Sequence, residues 1–322
     1  MDSGPTEQQP DTDGQIVDLG NDVFAIDTRM GGHSGITAGY LIRGERPCLV
    51  ETGTALSAPV VRAALTRLGI DAHDLASVVV THIHLDHAGG VGDLTRDYPN
   101  ADVFVHERGA KHLADPARLM ASARIVYGSV LDEFFGELLP TDASRVHAIN
   151  DGDMIDLGRS RWLESHHSPG HAKHHVGLLD TSTGDLYVGD AAGVYIPQTG
   201  DMRPATPPPD FDLDAALASL RTFAGLRPDR LLFSHFGPVS TVQETLERAA
   251  EELNLWVELV GQAREQDLDT EHTLAMINER TTDRYVTPHT NPQVAEAFDE
   301  LADPRANITG IRAWLDHRAE TA

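Results

Sequence analysis

A chain of 322 residues with 40% hydrophobic content can bury one large core, or one core with a smaller appendage, and no run approaches the roughly 18 consecutive apolar residues that a membrane span requires. The formal net charge of −25 repels phosphate backbones and anionic membranes, which argues for a small-molecule substrate and against nucleic acid or membrane partners. Cys48 is the single cysteine; it excludes an internal disulfide or a multi-cysteine zinc cage and is expected to be a small buried hydrophobe.

Residues 1–14 are acidic, polar and rich in turn formers, without the basic and apolar regions of a secretory signal. They read as a disordered tail, and the chain as cytoplasmic. Residues 15–55 alternate short apolar runs with turn residues (QIVDLG, DVFAID, AGYLIRG, PCLVETG), the pattern of antiparallel strands joined by tight turns. Apolar residues at helical spacing over 57–70 predict a helix that ends near Gly69. LASVVVTHIH returns to a buried strand, GDLTRDYP suggests a short helix, ADVFVHE a further strand, and 107–140 a mainly helical insertion. From residue 146, VHAIND, DMIDLG, RWLESHH, HHVGLLD and DLYVGD read as a second series of strands. A helix over 212–226 and the strand RLLFSH close that series.

Two such halves predict an α/β (α+β) fold, a four-layer sandwich of two mixed β-sheets with helices outside. The catalytic domain is expected at 15–238. Past about residue 238 the period becomes helical, with Leu246, Ala250, Leu253, Val257 and Val260 forming one apolar stripe. A helical C-terminal appendage at 239–322 is expected to pack against the sandwich or against a second subunit in a homodimer.

The strongest local signal is THIHLDHAGG at 81–90. Imidazole and carboxylate together suit zinc and its first-row neighbours. In an extended segment residues two apart point the same way, so His82 and His84 can grip one ion. Asp86 and His87 fall where the chain turns and can face a second ion. His171 follows RWLESHHSPG, Asp190 ends DLYVG and His235 ends RLLFS. Each lies just beyond a predicted strand, as the first cluster does, and sites collect on loops at one rim of a rigid scaffold. His167 is expected to stabilise its loop or to support a ligand from behind. Either His174 or His175 could face the pocket, Tyr195 could reach substrate or pack, and His106, His112 and His166 read as surface or loop histidines.

These motifs resemble the metallo-β-lactamase superfamily over roughly residues 15–238. HIHLDH is similar to the family's first histidine–aspartate motif, SPGH to its third-ligand motif, VGD to its bridging-aspartate motif and FSHFG to its last histidine motif. The resemblance implies that His82, His84 and His171 hold one metal and that Asp86, His87 and His235 hold the other. Asp190 would bridge them, in a cleft at one edge of an αββα sandwich. Where the family usually has an aspartate, this chain reads VETG; the longer Glu51 can still orient a ligand histidine from behind. Glu51, the doubled His174–His175 and the helical tail resemble a branch of small microbial hydrolases with a C-terminal helical extension more than the lactamases.

Two divalent ions, zinc first and iron or manganese as alternatives, would activate water for attack on a carbonyl, with Asp86 or Asp190 as the catalytic proton acceptor. No Gly-x-Ser-x-Gly nucleophile motif is present. The leading expectation is hydrolysis of a small ester, thioester or lactone. The alternatives are a mononuclear iron dioxygenase that oxidises sulfur substrates, as in related proteins with similar ligands, and a phosphodiesterase or nuclease. A non-catalytic scaffold ranks last, because no ligand is missing from the set.

Overall fold

The computed structural model describes residues 14–301 and 303–321; apart from Gly14, the expected disordered tail lies outside the described residues. Seven strands, β1 (Ile16–Asp18), β2 (Val23–Asp27), β3 (Ala38–Ile42), β4 (Cys48–Val50), β5 (Ser77–Val79), β6 (Asp102–His106) and β7 (Val146–Ile149), form one sheet in sequence order. Its first four strands pair antiparallel and β4 to β7 pair parallel. The second sheet is built from β8 (Met154–Asp156), β9 (Trp162–His167), β10 (Val176–Asp180), β11 (Asp185–Gly189), β14 (Arg230–Phe233) and β15 (Gly237–Val239), ordered β15-β14-β11-β10-β9-β8. Only β11 and β14 run parallel within it. A small hairpin of β12 (Val194–Ile196) and β13 (Asp201–Arg203) stands apart.

The helices are α1 (Ala58–Arg67), α2 (Leu85–Ala88), α3 (Val91–Asp97), α4 (Glu107–Ala114), α5 (Ala117–Tyr127), α6 (Leu213–Leu226), α7 (Val242–Glu265), α8 (Thr270–Arg280), α9 (Thr287–Thr290), α10 (Pro292–Leu301) and α11 (Pro304–Thr321). Strand β2 shows why the layers stack as they do. All five of its residues are buried: Val23 and Ala25 face the layer between the sheets, while Phe24 and Ile26 face the helices outside. A strand covered on both faces reads as continuous apolar sequence. Tyr40, Val50 and Val79 of the first sheet meet Val176, Leu178, Tyr187 and Leu232 of the second in the middle layer. Helices α1, α3, α4 and α5 cover the outer face of the first sheet. Helices α6, α7, α8 and α11 cover the second. The result is the expected αββα sandwich.

Three details depart from the sequence reading. VHAIND forms β7 at the edge of the first sheet, beside β6, and so is not the first strand of the second. Strand β5 stops at Val79, so THIH belongs to the turn that follows. On α7 the buried stripe runs through Leu246, Ala249, Leu253, Trp256 and Val260, with Ala250 and Val257 only partly covered. The apolar arc is wider than the five positions predicted and is centred one residue away. Cys48 is fully buried, and burial pushes its thiol up to about 12. Among the described residues no helix is long and apolar enough to cross a membrane.

A candidate two-metal centre

Strands β4, β5, β11 and β14 all end at the same rim of the sandwich, and the turns after them carry the predicted residues. The turn after β5 brings in His82 and His84, and α2 follows at once, so Asp86 and His87 stand on its single turn. His171 comes from the loop between β9 and β10, Asp190 directly follows β11, and His235 lies two residues beyond β14. All seven side chains converge. Three groups have their donor atoms within 4.8 Å of one another: His82, His84 and His171; His82, His87 and Asp190; and Asp86, His87 and His235.

Hydrogen bonds fix which imidazole nitrogen faces the centre. Carbonyl and carboxylate oxygens only accept, so His171 Nδ1 must donate to Ala205 O (2.9 Å), His235 Nδ1 to Ile36 O (3.0 Å) and His87 Nδ1 to Glu51 Oε2 (2.6 Å). In the neutral ring each Nε2 is then left with a bare lone pair. His84 instead presents Nδ1, 3.0 Å from His82 Nε2 and 2.9 Å from His171 Nε2. Burial holds His82, His84 and His171 below the ordinary imidazole range, which keeps them neutral and able to coordinate.

The carboxylates behave oppositely. Burial alone would push Asp86 and Asp190 up, but the neighbouring His87 and His235 outweigh it and hold both well below the usual range. Asp190 lies between three rings, 3.3 Å from His87 Nε2, 3.5 Å from His235 Nε2 and 3.4 Å from His171 Nε2. Asp86 Oδ2 is 3.2 Å from His235 Nε2 and 3.4 Å from His87 Nε2. Burial lowers His87, yet Asp190, Asp86 and Glu51 overcome that and raise it. His87 Nε2 and Asp190 Oδ1 are buried without a hydrogen-bond partner. Orphaned polar atoms are costly in a native interior and ask for an explanation. Bound metal would supply one, and the nitrogen and oxygen donor set suits a divalent cation.

The supporting shell is as specific as the donors. Glu51 is only 2% exposed and sits at φ +66°, a left-handed conformation that costs an L residue about 1–2 kcal/mol. That conformation lets one carboxylate serve two groups, accepting from Thr81 N–H at 2.7 Å through Oε1 and from His87 through Oε2. His175 is buried, but its nitrogens face away from the donor groups. Its Nε2 accepts from the Asp190 N–H (3.1 Å), so its Nδ1 donates to Ser168 Oγ (2.8 Å). Gly189 must be glycine for the same reason: it sits at φ +51°, and a Cβ there would lie 2.4 Å from His175 Nε2 and 2.6 Å from Thr81 Oγ1.

The remaining histidines divide. His167 binds its loop, with its ring 3.2 Å from Lys173 O and its N–H on Asp151. His106 and His166, expected near the surface, are buried. His106 caps α4 by accepting from Arg108 N–H and stacks on His167 at 4.7 Å, whereas His112 is only half-buried. Tyr195 packs on the ring of Phe233 at 5.7 Å. Sequence reading could not see Ile36 and Ala205, which act through backbone carbonyls that any residue type supplies.

His174 stands outside the donor groups, its ring 5.8 Å from that of His84. Burial lowers it from 6.5 to about 4. The unfolded chain therefore binds its proton more readily than the folded one, and stability is lost as pH falls from 6.5 towards 4. The loss expected over that window is at most about 3 kcal/mol. Urea denaturation at stepped pH should show this slope in the parent and a flatter one in His174→Asn; equal slopes would refute the assignment.

A cleft of about 540 Å³ opens over the centre, with His84, Asp86, His171, Asp190 and His235 at its base. One wall is apolar, formed by Val126 and Tyr127 of α5, Val130 of the link after it, and Phe134 and Phe135 of the π turn at Leu131–Phe135. Val126 is 72% exposed, so this wall runs out onto the surface. The lining also includes Arg203 and Arg305. Both are already paired with carboxylates, Arg203 with Asp299 and Arg305 with Glu271 at 2.6 Å.

Comparison with known proteins agrees with this fold. Residues 34–235 match the sequence model of the metallo-beta-lactamase superfamily. The metallo-beta-lactamase fold-containing protein ST1585 of Sulfurisphaera tokodaii is 32% identical over 195 residues, covering 58% of this chain and 72% of that protein. Its crystal structure superposes with a TM-score of 0.61 at 26% identity, over 72% of this chain and 86% of that one. The metallo-beta-lactamase family protein TTHA1429 of Thermus thermophilus shares the fold more widely, with a TM-score of 0.62 over 88% of this chain and 89% of that one at 21% identity. A hydroxyacylglutathione hydrolase of Vibrio cholerae is 24% identical over 253 residues, 75% of this chain and 82% of that protein.

Proposed function

The chain belongs to the metallo-β-lactamase superfamily of metallo-hydrolases, and we propose that it hydrolyses a small, uncharged ester, thioester or lactone with an apolar acyl group. The observation that carries this reading is the cleft itself, which holds members of the metal-donor cluster, an apolar stretch of lining and cations already neutralised by carboxylates. An acyl chain laid along Val126, Val130 and Phe134 would leave water at about 25 cal/mol per Å² of apolar area. A phosphodiester or another polyanion would find no unpaired arginine lining the cleft, and a protein of net charge −25 repels it. The hydrolase from Vibrio cholerae, named for action on a hydroxyacylglutathione, supports acyl transfer to water as the reaction class.

His82, His84 and His171 would hold one ion and Asp86, His87 and His235 the other, with Asp190 between them. Zinc is the first choice, with iron or manganese possible. Bound ions would polarise the scissile carbonyl and make water acidic near neutral pH. The chain's own residues do the rest. The three Nδ1 hydrogen bonds hold each Nε2 on its bearing, so no reorganisation is needed as charge develops. Asp86 lines the cleft and is held ionised by the adjacent rings; its carboxylate would pass the proton of the attacking water on to the leaving oxygen or sulfur as the tetrahedral adduct collapses and the acyl bond breaks. Tyr127 also lines the cleft, and its phenolic hydroxyl, protonated at neutral pH, is a donor there.

Protein purified without chelator should hold about two divalent ions per chain. It should hydrolyse p-nitrophenyl esters of increasing acyl length with falling KM, and lose activity on chelation. Ester hydrolysis undiminished in His84→Ala would defeat the proposal. Stoichiometric iron with oxygen consumption would move the assignment to a dioxygenase, and tight RNA binding at moderate salt would move it to a nuclease.

A further inference from the structure

We propose that Asn307, on the first turn of α11, is a positioning residue for the metal centre, acting on His171 through a single peptide group. Side-chain Oδ1 of Asn307 accepts from Thr206 N–H at 2.6 Å. The carbonyl of that same peptide unit, Ala205 O, accepts from His171 Nδ1 at 2.9 Å. The peptide is planar and rigid, so fixing its N–H end fixes the carbonyl that aims the imidazole. Asn307 Nδ2 also donates to Pro204 O at 2.9 Å, and Thr206 Oγ1 donates to Asn307 O at 3.2 Å. One asparagine thus grips the loop on both sides of Ala205.

Two further observations make this a built device. Thr206 is fully buried, so its N–H has no water to fall back on. Gly310, one turn further along α11, lets the helix backbone lie directly on the loop: a Cβ there would fall 2.0 Å from Thr206 O and 2.8 Å from Pro207 C. Helix and loop are therefore held at a fixed separation as well as bonded.

The relay also has an electronic consequence. Donating the Thr206 N–H polarises the peptide, which strengthens Ala205 O as an acceptor. A stronger acceptor on Nδ1–H makes the opposite nitrogen, His171 Nε2, a more basic ligand. In this way the C-terminal helices set the strength of a metal ligand in the sandwich. Asn307 also lines the cleft, so a molecule bound there touches the residue that tunes the centre.

The test compares full-length Asn307→Ala and Asn307→Asp with Arg264→Ala, reading zinc affinity by chelator competition and the visible spectrum after cobalt substitution. Arg264 joins α7 to Asp316 of α11 at 2.8 Å, so its loss loosens the helix without touching the relay. We expect Asn307→Ala to weaken one ion about 10–100-fold and to shift the cobalt bands, with Arg264→Ala near the parent. Asn307→Asp keeps an acceptor for Thr206 N–H but loses the donor to Pro204 O, and should restore only part of the affinity. Parent-like affinity and spectrum in Asn307→Ala, or an equal loss in Arg264→Ala, would overturn the relay. Should the alanine variant not fold, Asn307→Asp decides alone: its carboxylate is a stronger acceptor and must shift the cobalt spectrum, and an unshifted spectrum would overturn the proposal. No readout depends on ester hydrolysis, so the relay and the substrate assignment stand or fall separately.

Discussion

Asp190→Ala should cost about a thousandfold or more in kcat/KM on the best ester substrate, equivalent to about 4 kcal/mol of transition-state stabilisation. Asp86 approaches two of the clustered imidazoles, His87 and His235, whereas Asp190 approaches His87, His171 and His235, each within 3.5 Å. Without it the cluster would lose the carboxylate that approaches three of its rings, and His87 would lose the charge that most raises it. Removing one member of a buried charged set typically destabilises by about 3–5 kcal/mol. Asn at 190 separates the effects, because it keeps the shape of the side chain but not its charge, while the main-chain N–H bond to His175 survives in both variants. Ion content by mass spectrometry of metals and kcat/KM should fall in both variants, and the melting temperature more in alanine. Full ion content and activity in either variant would show that the donors act without a bridging carboxylate.

A chain ending at residue 238 should not fold. The sequence places a boundary there, and the second sheet is complete but for Val239 when α7 begins at Val242. Even so, the core outside that sheet is shared. Phe211, Leu220 and Phe223 of the α6 region and Leu231 and Phe233 of β14 form one apolar cluster with Leu246, Leu253, Trp256, Ile277 and Ile311 of the C-terminal helices. Re-exposing even four large side chains costs about 6–12 kcal/mol, as much as the whole stability of a typical domain. Within the extension, Glu252 is a buried hub that accepts from Tyr285 and from Arg248 and Arg284, each at 2.6 Å. Circular dichroism and gel filtration of the 1–238 chain would decide; a monomeric, cooperatively melting product would make the extension a separable domain.

How much of this was legible in the sequence depends on how local each signal is. The segment THIHLDHAGG declares itself because four of its donors lie within six residues. His171, Asp190 and His235 could be found because each follows an apolar run that ends in a turn. Glu51 stood out as a departure from the aspartate that resemblance implied, and its longer reach is used on both Thr81 and His87. The placement of VHAIND was not legible, since an edge strand's partner is set by long-range pairing and its pattern fits either sheet. Nor were the buried positions of His106 and His166, because a histidine within an apolar strand looks the same whether its polar atoms are capped or wet. Asn307 gave no signal at all. A polar residue at the start of a helix reads as ordinary solvation, and its partners lie about a hundred positions away.

The cluster is stitched across the seam between two sheets. His82, His84, Asp86 and His87 ride on the first sheet and His171, Asp190 and His235 on the second. At this rim three of the bonds that cross the seam skip over the apolar layer near His235: Tyr40 hydroxyl to Phe233 O at 2.5 Å, Ala38 N–H to Ser234 O at 2.8 Å, and His235 Nδ1–H to Ile36 O. All three fasten the turn that ends in His235 to the hairpin side of the opposite sheet. The two halves therefore cannot shear without carrying a donor out of place, and the tolerance of the chemistry is inherited from how tightly tyrosine and backbone bolt one sheet to the other.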